Sequence, residues 1–303
     1  MRLVLACFFV SLFFNNVVEA APLPTAVHVV VTIKPAYSWV AAVMKGVGKP
    51  ELLIKGGESV HTYSLKPSDA HLLAQADVVF FIDKSVEAFL QKSLQTIAEK
   101  AQAVPLSTAP GIKLLAARRG KYFEQHAGHH ASFNPHIWLD PQNAIYATNY
   151  IAAILAKKDP QHAAAYLDNA KRYTNDLTTL IARTQQALAP YHKGKFIVFH
   201  DAYYYYEKRF GVQAVGAIMV DAAHQPSAKR LKEIRKKIAE TKAICVFSEP
   251  QFTPKLLNVL VEGLDNVRVG KLDPLGADLP AEEGSYARLI DNITDSLVKS
   301  LKP

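Results

Sequence analysis

VHVVVTIKPAYSWVAAVMKG, residues 27–46, sets the grammar of the chain. VHVVVTI (27–33) is rich in valine, whose β-branched side chain suits extended backbone, and PAYSWVAAVMKG after it reads as a helix. The apolar run is nearly continuous rather than alternating, as expected of a strand buried on both faces of a parallel sheet. The same order follows in ELLI (51–54), a helix from Pro67, and DVVFFI (77–82). Pro67 fits the first position of its helix, with Ser68 and Asp69 suited to the first turn. The first lobe is therefore expected to be α/β.

From about residue 107 to 134 the pattern gives way to a long polar loop carrying RRGK and HAGHH. Loops of this length are usually functional or mobile. Helical periodicity resumes after Pro141 and runs almost to Pro190, interrupted near Asp159 and Pro160, which predicts a short helix and then a long one reaching from lobe to lobe. KFIVF, a helix through four tyrosines, AVGAIMV, a basic helix, AICVF, a helix from Pro254, VRVGKL and a final helix from about Glu282 repeat the grammar without repeating the sequence. The expected fold class is α/β: two similar lobes with parallel sheets, joined by a long rigid helix, with the ligand cleft between them. The expected boundaries are 21–158 for the first lobe, including the histidine-containing loop at 107–135, 159–190 for the linking helix and 191–303 for the second lobe.

A length of 303 residues fits two lobes, and 50% apolar with 20% charged residues is ordinary globular composition, unlike that of a disordered or multi-span membrane chain. Residues 1–20 stand apart. Arg2, an apolar run over 3–14, and Val18-Glu19-Ala20 before Ala21 form a signal peptide with cleavage after Ala20, so export to the periplasm is expected. The run is shorter than the roughly 20 residues that span a bilayer. Cys7 precedes most of it, which argues against a lipid anchor. Cleavage leaves Cys245 as the lone thiol, read as a small buried apolar residue inside AICVF. The formal charge of +8 survives cleavage because Arg2 and Glu19 leave together. The cations are dispersed, and the densest group, KRLKEIRKKIAETK (229–242), interleaves Leu231, Ile234 and Ile238 at helical spacing. That is a solvated helix face, and no nucleic-acid partner is expected.

Eleven histidines are present, with no HExxH, CxxC or C2H2 pattern among them. A metal site must be assembled in three dimensions. In doubly wound sheets ligands bind beyond the carboxyl ends of strands, and that position selects four residues: His61 in KGGESVHTY, His136 in NPHIWLD, His200 at the end of FIVFH, and Asp273 in LDPLG. Any one histidine alone reads as a hydrogen-bonded loop residue. Together they point to a site.

Five stretches, SVHTYSLKPSDAHLLAQADVVFF, NPHIWLDPQNA, FIVFHDAYYYYEKRFG, CVFSEPQF and KLDPLG, resemble in order the landmarks of the metal-binding solute-binding proteins that serve ABC importers, most closely their zinc-uptake branch. The resemblance covers nearly the whole mature chain. It implies one metal in the interlobe cleft, with His61 and His136 from the first lobe and His200 and Asp273 from the second. Manganese-type relatives place a carboxylate where His200 stands, and three neutral imidazoles with one carboxylate suit tetrahedral zinc better than a harder ion. The tyrosines after His200 cannot share one helix face, so some are expected to pack inward and others to line or cap the cleft.

The chain departs from the resemblance in three ways. Val60 stands where zinc-type relatives often carry an acid, and Glu58 lies three residues ahead of His61, so the fourth ligand falls to Asp273, a water or a loop histidine. Cys245 lacks the partner that forms a disulfide in some relatives. A histidine-rich acidic loop is reduced to His126, His129 and His130, a candidate secondary metal loop beside Arg118, Arg119 and Lys121, whose charges would repel a second zinc ion. Glu249 in SEPQF matches a landmark and is expected at most to hydrogen-bond a ligand from behind. The function implied is capture of Zn(II) and its delivery to an ABC permease by a monomer, not catalysis. The alternatives are a manganese binder, an iron-chelate or haem binder, and a secreted zinc hydrolase, which would need an open metal position and a general base.

Overall fold

The structure is a computed structural model that describes residues 27–118, 120–123, 132–219, 225–251, 255–264 and 266–302. The expected leader at 1–20 and the loop histidines His126, His129 and His130 lie outside the described residues. The first sheet comprises β1 (Val29–Val31), β2 (Glu51–Leu52), β3 (Val78–Phe81) and β4 (Gln102–Pro105), in the order β2-β1-β3-β4, every pair parallel. The second comprises β5 (Lys195–Val198), β6 (Gln213–Ala217), β7 (Cys245–Ser248) and β8 (Arg268–Lys271), in the order β6-β5-β7-β8, again all parallel. The two orders are the same topology. The two lobes expected from the repeated grammar are therefore similar in fold, although their sequences do not repeat.

Helices α1 (Lys34–Val43), α2 (Pro67–Gln75) and α3 (Leu90–Thr96) belong to the first half, followed by α4 (Pro141–Lys158) and α5 (Ala163–Leu188); α6 (Tyr204–Phe210), α7 (Ala228–Thr241), α8 (Lys255–Val261) and α9 (Ser285–Leu301) follow in the second. Their starts obey local chemistry. Pro67 opens α2, and Asp69 accepts the Lys66 backbone N–H at 2.8 Å. Asp140 caps α4 by accepting the Gln142 N–H at 2.9 Å, ahead of Pro141. Strand β4 and helix α3 have no counterpart in the sequence reading: β4 is an edge strand, half exposed and ending on proline, so it lacks the apolar run that marks its neighbours.

Strand periodicity builds the core in layers. Val29, Val31, Val78, Phe80, Phe196, Val198, Cys245 and Phe247 point into one cluster shared by both lobes, together with Trp39, Trp138 and Tyr286. The intervening residues face outward into separate cores, Val30, Val79 and Phe81 in the first lobe and Ile197 and Val246 in the second. The 26 residues of α5 span about 39 Å at 1.5 Å per residue. This helix packs on α1 and α4 at one end of the chain order and on α6 and α9 at the other, which joins the lobes rigidly. Cys245 is a free, fully buried thiol, and burial pushes it up to about 11.

A second tie between the lobes comes from the polar loop. Arg118 is stacked between the rings of Phe123 and Tyr204, at 4.0 and 4.4 Å from their centroids. Its guanidinium grips two carboxylates of the second lobe, Asp201 and Glu207. Further along, the Tyr122 carbonyl accepts the Ala217 N–H at 2.7 Å. Gly216 fits beneath this contact because a Cβ there would come within 3.2 Å of that carbonyl oxygen. Residues 116–118 and 120–123 thus reach from the first lobe onto the edge of the second sheet.

Glu87, in the turn after β3, is fully buried. Burial pushes its carboxyl from an ordinary 4.5 up to about 8, against the opposing hydrogen bond from the Asp83 backbone N–H at 2.9 Å. The folded chain therefore holds a proton that the unfolded chain has already lost, and stability falls as pH rises from about 4.5 to about 8. Thermal melts in the presence of a metal chelator are expected to show a falling midpoint across that window, and Glu87→Gln is expected to flatten the slope.

Candidate metal centre

The first lobe delivers two histidines to the cleft and the second lobe one. His61 follows β2, His136 lies in the segment leading to α4, and His200 follows β5, the strand at which the order of the second sheet reverses. His136 and His200 are buried, at 1% and 5% exposure, and His61 is half-buried. The three rings converge. The His136 Nε2 stands 3.1 Å from the Nε2 of His61 and 3.3 Å from that of His200. One ligand atom from each of the three lies within 4.8 Å of the others. Nitrogens bound tetrahedrally at about 2.05 Å from a zinc ion would stand about 3.3 Å apart. The spacing is that of a coordination shell.

The hydrogen bonds behind the rings fix which nitrogen faces inward. The Asn134 amide donates to the Asp201 carbonyl at 2.7 Å, so its oxygen is the atom turned to His136. That oxygen accepts both the His136 backbone N–H at 3.0 Å and the Nδ1–H at 2.9 Å. The His200 Nδ1 donates to Glu249, 2.8 and 2.7 Å from its two oxygens. With Nδ1 protonated in both rings, each neutral imidazole presents its Nε2 lone pair, and two such lone pairs at 3.3 Å repel unless a cation lies between them. Asn134 and Glu249 are thus the residues that aim the donors. Glu249 was legible as a landmark. Asn134 sits two residues before His136 and was not singled out.

The other residues named from the sequence are placed as follows. Asp273 follows β8 and folds its own loop: one oxygen accepts the Leu275 and Gly276 N–H groups at 3.0 and 2.9 Å, and the other accepts the Ala277 N–H at 2.6 Å. It also accepts from the Gln251 amide at 3.3 Å. Glu58 turns away to an exposed pair with Lys66 at 2.9 Å. The tyrosines divide as their spacing requires: Tyr203, Tyr205 and Tyr206 are buried, and Tyr204 lies half-exposed over Arg118. Burial beside Glu249 and Asp273 holds the Tyr203 phenol well above its ordinary value, so it is neutral and packs 6.5 Å from the His200 ring. Trp138 closes the back of the site, its ring 5.0 Å from His136 and its Nε1 donating across the lobes to the Pro274 carbonyl at 2.7 Å.

The cavity at the meeting point has a volume of about 10 Å³ and is lined by Val60, the three histidines, Glu249 and Gln251 among others. That is space for about one water-sized body. Pockets for drug-sized or cofactor-sized ligands run to hundreds of Å³.

Two parallel-sheet lobes on a long helix, with imidazoles from both converging on a space for one ion, define a cleft-type solute-binding protein. The family model described as ZnuA, zinc-uptake complex component A periplasmic, matches residues 29–300, and the chain belongs to that family. The high-affinity zinc uptake system protein ZnuA of Brucella abortus is 41% identical over 301 residues, covering 89% of this chain and 90% of that protein. Its counterpart in Yersinia pestis is 35% identical over 291 residues, covering 90% and 91%. In fold the chain is similar to the periplasmic zinc binding protein TroA from Treponema pallidum, with a TM-score of 0.79 at 22% identity over 91% of this chain and 99% of that one.

Proposed function

We propose that this protein captures Zn(II) in the periplasm and hands it to the membrane permease of an ABC importer. The observation that carries the reading is the set of three Nε2 atoms at 3.1 and 3.3 Å, gathered from both lobes and aimed by Asn134 and Glu249. His61, His136 and His200 supply the nitrogen donors, and the fourth position falls to Asp273, a water or a loop histidine. Neutral imidazoles favour zinc over manganese, which prefers carboxylate and carbonyl oxygens. A cavity of about 10 Å³ suits a bare ion and leaves no space for haem or an iron chelate.

In this reading the mature chain begins at Ala21, 21–158 and 191–303 are the lobes, 159–190 is the linker, and the monomer is the working unit. Among the described residues no helix is long and apolar enough to cross a membrane, consistent with a carrier that meets its permease by docking. The test is elemental analysis of the purified protein followed by titration with zinc and manganese against a competing chelator. Zinc is expected to bind one per chain and to outcompete manganese, and a protein that prefers manganese, or holds no zinc, would contradict the reading. Glu249→Ala is expected to weaken zinc binding by about 10–100-fold, the usual cost of removing the partner that orients a ligating histidine, and the same titration measures it.

A further inference from the structure

Helix α1 opens on a cation, Lys34, and has no acid in its first turn. The positive end of the helix dipole disfavours that placement. The Lys34 side chain leaves its own lobe instead. Its ammonium donates to the carbonyls of Gly276, Ala277 and Leu279 at 3.3, 2.6 and 2.9 Å, so its three donors are spent on one loop of the second lobe. That loop starts at Asp273, which folds it from within by accepting the Leu275, Gly276 and Ala277 N–H groups. Pro274 and Leu275 form part of the wall of the metal cavity. Ala277 lies against the loop that carries His61, since a Cβ on Gly57 would come within 3.1 Å of the Ala277 Cβ. Lys34 therefore closes over a stretch of backbone that touches both sides of the cleft.

The ties on either side of this contact differ from it in kind. Ahead of it, the Trp138 Nε1 holds the Pro274 carbonyl at 2.7 Å. Beyond it, the Ser38 Oγ donates to the Glu283 carbonyl and accepts the Tyr286 N–H at 3.1 Å. Trp138, Ser38 and Tyr286 are all fully buried. Lys34 is only half-buried and borders an open groove of about 410 Å³, lined also by Tyr37, Lys55, Leu279 and Pro280. Water entering from this groove can take over the three carbonyls without a core contact being broken.

We propose that Lys34 is a positioning residue for zinc release: its ammonium latches the 273–279 loop to the first lobe, and zinc leaves at the rate at which that latch opens. The proposal rests on the three-histidine reading and adds the step by which the captured ion is let go. The donors stay as they are, and Lys34 sets how long the cleft stays shut around them.

The test compares the native mature chain with Lys34→Met, which keeps the apolar stem, and Lys34→Gln, which keeps one donor group. Lys45→Met is the control, because it breaks only an exposed pair between the same two segments, Lys45 with Glu283 at 2.7 Å. Zinc dissociation is read by stopped flow into excess chelator, where the rate no longer depends on the chelator, and association by rapid mixing. The visible spectrum of the Co(II)-loaded protein reads the donor set. Lys34→Met is expected to raise the off-rate by at least about tenfold, the worth of one hydrogen bond to a charged group, with the association rate and the spectrum unchanged. Lys34→Gln is expected to fall between it and the native chain, and Lys45→Met to match the native chain. A merely structural role would lower the melting midpoint without this split between the two rates. An unchanged off-rate in Lys34→Met, or in Lys34→Gln should the methionine variant not fold, would overturn the proposal. So would an altered Co(II) spectrum in either, the result expected if Lys34 acted on the donors themselves. Failure of the underlying reading shows separately, as a native Co(II) spectrum without the intense bands of a four-coordinate, nitrogen-rich site.

Discussion

Replacement of His200 by alanine is expected to weaken zinc binding by more than about 100-fold, beyond the 10–100-fold typical of losing an orienting partner. The size of the effect follows from position. His200 is the imidazole of the second lobe, 3.3 Å from the His136 Nε2, and among the gathered histidines it alone ties the metal to that lobe. Its removal also strands Glu249, whose carboxylate is buried and turned to the imidazole. His136→Ala should cost a similar amount, since that ring is equally buried and is central to both short Nε2 separations. His61→Ala should cost less, because a half-exposed site can recruit solvent water in place of the lost ring. Titration calorimetry or chelator competition on the three variants gives the ranking directly, and unchanged zinc affinity in His200→Ala would contradict the site.

The second large effect concerns stability rather than affinity. Arg118→Ala is expected to destabilise the protein by about 3–5 kcal/mol, because it leaves two buried carboxylates without their cation. Side-chain exposure at Arg118, Asp201 and Glu207 is 11%, 4% and 4%, so solvent cannot replace the guanidinium. Burial already pushes the Glu207 carboxyl up, and Arg118 is the main influence holding it down. Without Arg118 the Glu207 carboxyl should rise further, so the variant recovers as pH falls and this group protonates, and it loses stability as pH rises through the group's folded value. The comparison is the exposed pair of Arg183 and Asp291, at 47% and 40% exposure, where Arg183→Ala should change stability by no more than about 1 kcal/mol. Denaturant melts at pH 5 and pH 8 on both variants separate the two cases.

Much of this was legible in residue order. The apolar runs at β1, β3, β5 and β7 announce a doubly covered parallel sheet because both their faces are buried, and the period-two division of Val29, Val30 and Val31 between two cores is that rule carried out in space. The histidines were legible because a strand such as FIVFH ends on one, and strand ends are where α/β folds present ligands. What did not show was the layer behind them. Asn134 and Arg118 act through partners distant in sequence: Arg118 meets Asp201 across 83 positions, and Asn134 meets the Asp201 carbonyl across 67. Nothing in local spacing announces such a pair, since the chain must fold before an amide and a carbonyl from opposite lobes can be neighbours. Asp273 was visible as an acid at a strand end, but a strand-end acid serves a loop's backbone as readily as a metal, and only the hydrogen bonds to Leu275, Gly276 and Ala277 reveal that use.

Zinc capture depends above all on imidazoles from both lobes sharing one zinc ion. X-ray absorption at the zinc edge of the fully loaded protein tests this most directly. It should give a first shell of nitrogen and oxygen at about 2.0–2.1 Å whose multiple scattering requires three imidazole rings. A first shell with one imidazole or none, or one containing sulfur at about 2.3 Å, would contradict it.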